Sequence, residues 1–447
     1  MRTSPPASRR GSVPEGALPP TGAKRSQVVT RTVRQAGMKS PQQGRAHGNA
    51  RASPERVLLG ITLLFIFIPL AVEVQHILVV FFMPPLLLLF TYWMLTAPPL
   101  RLGRWDVLLL LLGFWALFAG YLVPSATPAK AYPFAAALLL GVYARHRYGK
   151  AFDMDFLIRF FQAVILLQLV VALAQGITHS SIGYIPDSIG STTNQITDYP
   201  GALYRVVGTV GYWNTLSGLL LLLLPFLYPG IDDRRVGLRV LLGVCSCLLI
   251  AYNVSRFALL LIPVYLSMAW PGMIRRRRLP MLAGALLLLI VSFILLALLL
   301  PTFLPLVEQR WDAARVDLGY RLQQWRSAAS VIAEHPLLGI GFGTSRVEYA
   351  VSYESYFWVD RPHNLLLLLA SESGLPALLL FCAAIVIALR RPAVDRASRT
   401  LRISIILVLM LSLIYLFPVE FVIWPLFIFL LGTYMGVTDG TIAHDAT

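Results

Sequence analysis

The chain has 447 residues, of which 57% are hydrophobic and only 13% charged, and its formal net charge is +16. So apolar a composition excludes an ordinary soluble enzyme, and leucine runs such as LSGLLLLLLPFLY exclude a β-barrel, whose short strands would alternate. The remaining class is an all-α polytopic membrane protein.

Residues 1–56 hold eleven Lys/Arg and two Glu among many Pro, Gly and Ser residues, with no hydrophobic period. They read as a basic, disordered cytoplasmic tail. The tail has no apolar h-region and so is no signal peptide. A membrane-proximal anchor is a simpler reading of its charge than a nucleic-acid arm, and no nucleic-acid partner is expected.

Apolar segments long enough to span a bilayer then follow at 57–73, 76–96, 105–123, 132–145, 155–176, 212–229, 237–252, 255–271 and 279–301. A loop covers 302–361. Three further spans occupy 362–389, 401–417 and 420–437, and 438–447 form a short tail. The expected count is about twelve helices. The connections PPLRLGR (98–104), ARHRYGK (144–150), DDRRVGLR (232–239), RRRR (275–278) and RRPAVDRASRTLR (390–402) are all basic and fall on the same side as the tail. Those near 74, 124–131, 253 and 418 are nearly free of Lys and Arg. The positive-inside rule then places both termini in the cytoplasm. It also places two long segments, 177–211 and 302–361, outside, where a site has room to form.

Arginines outside the membrane run against this charge bias and need a reason. Arg205 precedes the sixth span in YRVVGTVGYWN, and Arg256 sits in the tight connection NVSRFALL at the membrane edge. A charge within the bilayer costs ~2.5–3.5 kcal/mol at its centre and less near the interface, so such residues pair with anions or snorkel to headgroups. In the long loop, Leu318, Leu322, Trp325, Ala329 and Ile332 recur at helical spacing, with Arg321 at the margin. They predict an amphipathic helix lying on the membrane and ending at AEHPLLGIGFG.

The tenth span opens RPHNLLLLLASESGLPALLLF. In a continuous helix Ala370, Gly374 and Ala377 share the face of His363, which then crowns a seam of small residues open to a neighbouring helix. Pro376 is the expected kink. Glu372 falls roughly opposite His363 and ~13 Å deeper, as a buried structural group. Asp153-Met-Asp155 spells DxD, but carboxylates at i and i+2 do not face one another, and the pair lies on the inner side. Cys245, Cys247 and Cys382 match no metal or redox spacing and read as small core residues. No metal or other cofactor is expected.

His363-Asn364, nine residues and then Gly374 resemble the signature of the O-antigen ligase and polymerase superfamily. Further family-like pieces occur in order. They are R-x-x-G-x-x-x-x-x-N from Arg205 to Asn214, the pair Ser255-Arg256, G-Y-R-x-x-x-W at 319–325, and E-H-P-L-x-G-x-G at 334–341. The likeness covers roughly 200–380. It departs at Ala377, where a second glycine is frequent, and at Phe257, where Gly usually follows Ser-Arg. It implies transfer of O-antigen glycan from an undecaprenyl pyrophosphate donor to a lipid A-core sugar hydroxyl, at the periplasmic face of a Gram-negative inner membrane. It also implies a metal-independent reaction and catalytic or pyrophosphate-binding roles for the matching Arg and His residues. The residue chemistry agrees. Arg205 and Arg256 suit a pyrophosphate leaving group at the membrane edge, and neutral His363 suits an attacking hydroxyl as base or orienting group. Arg321, Asn364 and Asn214 are the expected substrate contacts, and membrane lipids surround them. An O-antigen polymerase would share this chemistry with another acceptor. A lipid or glycolipid transporter would show internal repeats and broken helices at the midplane. The sequence has no such repeats.

Overall fold

The computed structural model describes residues 53–67, 71–74, 77–80, 82–97, 101–124, 128–180, 182, 206–211, 213–227, 236–253, 255–274, 319, 321–342, 362–413 and 422–445. The elements run α1 (Pro54–Ile66), β1 (Ala71–Val74), β2 (Ile77–Val80), α2 (Met83–Thr96), α3 (Arg104–Leu122), α4 (Pro128–Arg147) and α5 (Met154–Thr178). After these come α6 (Trp213–Leu223, extended by a 3-10 turn Leu224–Leu227), α7 (Val236–Tyr252), α8 (Arg256–Ile274), α9 (321–334), α10 (Leu365–Leu389), α11 (Arg396–Ser412) and α12 (Ile423–Asp445). Among the described residues, four helices are long and apolar enough to cross a membrane: α3, α5, α10 and the Ile423–Gly440 part of α12. Shorter apolar helices accompany them. The protein is a helical membrane protein. The expected ninth span, 279–301, lies outside the described residues.

One element departs from the all-α expectation. Residues read as the end of the first span and the start of the second form an antiparallel hairpin, with Ala71 opposite Val80 and Val74 opposite Ile77. A β-branched apolar run satisfies either a buried helix or a strand by hydrophobicity alone, and the four-residue strands are too short for period to decide. Consequently α1 and α2 are only 13 and 14 residues long.

The core is built around α12, which lies along α4, while α4 also packs on α3 and α3 on α10. Glycines set the α4–α12 approach. A Cβ added at Gly432 would meet the Gly141 backbone, and one at Gly436 would lie 2.6 Å from the Arg145 carbonyl oxygen. Gly432 and Gly436 form the small-xxx-small spacing that lets two membrane helices touch backbone to backbone.

The basic end is tied together by ion pairs. Asp106 in the first turn of α3 is fully buried. Its Oδ2 accepts from Arg145 Nη1 at 2.7 Å, from the Gly103 amide at 2.8 Å, and lies 3.1 Å from His146 Nε2. Arg145 also donates from Nε to Asp439 at 2.8 Å, and Asp439 pairs with Arg391 at 3.2 Å. Arg147 binds Glu55 through two nitrogens, and the Tyr143 hydroxyl donates to the same carboxylate at 3.0 Å. The start of α1, the start of α3, the ends of α4 and α12, and the turn after α10 are thereby held at one end. Asp153 of the DxD caps α5, accepting from the Phe156 amide at 2.8 Å. Cys245, Cys247 and Cys382 are unpaired thiols.

Candidate active site

The segment after Arg205 is not a simple turn before a span. Residues 206–210 are non-helical and buried, and they run down the face of α5. Backbone at that depth must find partners inside the protein. Two glutamines supply them. Gln175 Oε1 accepts from the amides of Val207 and Gly208, both at 2.9 Å, and its Nε2 donates to the Gly208 and Ile182 carbonyls at 2.8 Å. Seven residues earlier on the same face, Gln168 Oε1 accepts from the Thr209 amide at 2.9 Å and its Nε2 donates to Thr209 Oγ1 at 2.6 Å. Thr209 Oγ1 in turn donates to the Phe67 carbonyl at 2.7 Å. The two glutamines start ~10 Å apart along α5, and their side chains converge on residues 207–209. Sequence reasoning passed over both glutamines. The available signal was two amides at i and i+7 within an otherwise apolar span.

The same segment is fastened to the Ser255-Arg256 region. The Val206 amide donates to Asn253 Oδ1 at 3.3 Å. Asn253 and Ser255 are buried, and Arg256 opens α8. Arg205 lies outside the described residues, but its neighbour Val206 is thus held beside the α7–α8 junction. Asn214, in the first turn of α6, is also buried.

On α9, Arg321 places its guanidinium over the Phe257 ring, 5.0 Å from the centroid. The unexpected phenylalanine after Ser255-Arg256 is therefore a platform for the arginine of the next motif. The side of α9 that packs on the protein is not the Leu322 side. Leu322 is 46% exposed, whereas Ala328 and Val331 are buried and cluster with Ile340 and Leu367 of α10. Arg321, Gln324, Trp325, Ala328 and Val331 thus form the protein-facing side, at steps of three and four. Leu318 lies outside the described residues.

His363 is half-buried, and it precedes α10 rather than belonging to it. Asn364 is the N-cap. Its Oδ1 accepts from the Leu366 and Leu367 amides at 2.9 and 3.1 Å, and its Nδ2 donates to the Leu413 carbonyl at 3.0 Å. Both ends of the amide are engaged within the protein, fixing where the helix starts and hence where His363 sits.

The nine residues after Asn364 are helix, and Gly374 then breaks it at φ 79°, ψ 172°. The expected kink at Pro376 is thus set two residues earlier, and the face counted from His363 through Ala377 is not continuous. The element that comes close at Gly374 is also not a neighbouring helix. It is the turn 335–340. The Leu375 amide donates to the Pro336 carbonyl at 2.8 Å, and the Ile340 amide donates to the Ser371 carbonyl at 2.9 Å. Trp115 Nε1 on α3 donates to the Ser373 carbonyl at 2.9 Å. Backbone groups released by the break are therefore paired again. Gly339 permits this approach, since a Cβ there would lie 2.6 Å from the Glu372 carbonyl carbon. Phe342 anchors the turn's far end against Phe134, 5.0 Å between centroids, and Phe134 stacks on Trp424 at 4.6 Å. Glu372 is buried beside the break.

The motif segments thus form one chain of contacts, from 206–211 through Asn253 and Phe257 to α9, the 335–340 turn and the start of α10. No curated protein matches the chain. Residues 241–382 match the family model described as O-antigen ligase, a stretch that runs from within α7 into α10 and includes Arg256, Arg321 and His363. The resemblance to the O-antigen ligase and polymerase superfamily read from the sequence is borne out over that stretch.

Proposed function

We propose that the protein is an inner-membrane glycosyltransferase that moves O-antigen glycan from undecaprenyl pyrophosphate to a lipid A-core sugar hydroxyl at the periplasmic face. In this reading the acceptor oxygen attacks the anomeric carbon in line with the bond to phosphate. The new glycosidic bond forms as the bond to the pyrophosphate oxygen breaks, inverting the anomeric centre. His363 takes or orients the hydroxyl proton. Arg205 and Arg256 hold the departing pyrophosphate and supply, without a metal, the positive charge that the developing anion needs. Arg321 adds a phosphate or glycan contact, and Asn214 lines the acceptor or donor path. Asn364 serves through the cap that positions His363.

The observation that carries this reading is the convergence of four motif segments far apart in sequence, above all the Val206–Asn253 hydrogen bond that brings the Arg205 segment to the Arg256 helix. They gather away from the ion-paired basic end, as a site on the opposite side of the membrane requires. The test is purified protein reconstituted with lipid-linked O-antigen and lipid A-core in the absence of divalent metal. Capped core is the expected product. Longer lipid-linked chains with no capped core would identify a polymerase instead. Full activity in both His363→Ala and Arg256→Ala, at wild-type protein level, would remove this site from the chemistry.

A further inference from the structure

The turn 335–340 is fastened to the break in α10, and two helices fix the height of that break in the membrane. Both can be measured from the ion-paired basic end, where Asp106 lies in the first turn of α3 and Arg391 follows α10. Trp115, which donates to the Ser373 carbonyl, lies nine residues past Asp106, or ~14 Å along α3. From there α3 runs another seven residues, ~10 Å, to Leu122. Phe118, Tyr121 and Leu122 are exposed on that last stretch. Along α10, Ser373 lies eighteen residues from Arg391, at most ~27 Å for an upright helix. The hydrocarbon core of a bilayer is ~30 Å thick. By either ruler the break lies inside the membrane and not above it.

Whatever is bonded to the break shares its depth. Pro336 and Ile340 are hydrogen-bonded to Leu375 and Ser371, and the Leu337 carbonyl abuts Gly374. Helix α9 reaches this point by descending beside α10. Ala328 and Val331 pack with Leu367, and Pro336 follows about two turns further along α10. A helix lying flat on the membrane would keep the turn outside. Leu337 is nevertheless 68% exposed, close to Leu375 and to Leu379, which is 67% exposed on the apolar rod. We propose that the 335–340 turn is inserted into the leaflet opposite the basic end, with Leu337 against its acyl chains. The turn's backbone suits that depth, because the groups released at the break pair with it. Glu334 and His335, exposed just before the turn, limit the insertion to the outer part of that leaflet, where polar groups cost less than at the midplane. The level, ~10 Å short of the end of α3, is one to which interfacial segments bury their apolar side. Insertion gives the site a fixed height. The nine residues Leu365–Ser373 span ~14 Å, so His363 stands above the turn at headgroup level, where the polar part of a lipid-linked substrate is held.

Acyl-chain photolabelling tests this on the unaltered protein. Full-length protein is reconstituted with a phosphatidylethanolamine carrying a diazirine in its acyl chain, irradiated and digested with trypsin. The peptide 327–346 is expected to carry label at Leu337, as the peptide ending at Arg390 carries it at Leu379. Label at Leu379 with none on 327–346 would overturn the insertion. A nitroxide at Leu337→Cys, with Cys245, Cys247 and Cys382 replaced by alanine, gives a second reading in bilayers. Its collisions with oxygen are expected to exceed those with a water-soluble nickel chelate severalfold. At Ala329→Cys, on the exposed side of α9 about two turns nearer Arg321, the order is expected to reverse. Nickel contact at Leu337 equal to that at Ala329 places the turn in water and sinks the proposal.

Discussion

Gly374 faces Leu337 with no room for a side chain between them: a Cβ on Gly374 would run into the Leu337 carbonyl and lie only 3.0 Å from the Leu338 amide nitrogen. The glycine of the HN-x9-G signature is therefore the point where the helix that starts just after the histidine meets the EHPLLGIG turn. Gly374→Ala must meet both a steric clash and a left-handed backbone. A loss of at least ~2–3 kcal/mol is expected, or a shifted turn. Thermal unfolding in detergent should fall sharply and transfer activity should be lost. Ala377→Gly, at a buried position beyond the break, should cost only about 1 kcal/mol, as glycine costs in any helix. Equal damage from both would remove the special status of Gly374.

The glutamines of α5 substitute for a missing strand partner. Gln175→Leu deprives two amides and two carbonyls of their partner, and Gln168→Leu frees the Thr209 amide and hydroxyl. Each is expected to destabilise the 206–211 segment by ~2–4 kcal/mol while the helices persist. Trypsin cleavage at Arg205 reads this directly, since a released segment exposes the bond. Unchanged cleavage in both variants would refute the proposed support.

Asn364 separates a cap from a substrate contact. Asn364→Asp keeps the oxygen that accepts from Leu366 and Leu367 but loses the donor to the Leu413 carbonyl, so its melting temperature should fall, though less than that of the alanine variant. Asn364→Ala should lose ~1 kcal/mol. Activity should follow the same order, because the cap fixes His363. An aspartate variant that is stable yet inactive would instead point to direct contact by the amide nitrogen.

At the opposite end, Asp106→Asn removes the carboxylate shared by Arg145 and His146. A buried pair broken on one side typically costs ~3–5 kcal/mol, so a large fall in thermal stability is expected. The surviving folded protein should keep its KM for both substrates, because these residues lie at the end away from the motif segments. A changed KM at full stability would tie this cluster to the site.

Helix positions were largely legible because long apolar runs dictate them: α3, α5, α7 and α10 begin within a few residues of expectation. The 71–80 hairpin was not, since valine and isoleucine runs suit helix and strand alike. The face of α9 that packs on the protein was not legible, because the partners that select it, Phe257, Ile340 and Leu367, lie on other segments. Gln168 and Gln175 were visible as letters, but their meaning depends on a backbone segment thirty to forty residues away. The signature spacing was legible only as a pattern. Its cause, nine residues of helix between a cap and a break, needed the angles at Gly374.

The break at Gly374 also divides the labour of α10. The stub before the break, Leu365–Ser373, is bolted to the turn and to Trp115, so it answers to the gathered motif segments. The rod beyond Pro376 answers to the bilayer and its neighbours. Insertions or register shifts in the rod can then be absorbed without displacing His363, whereas a single residue added to the stub would rotate its N-cap by about 100°. The rod is free to be retuned for membrane thickness while the stub length stays fixed.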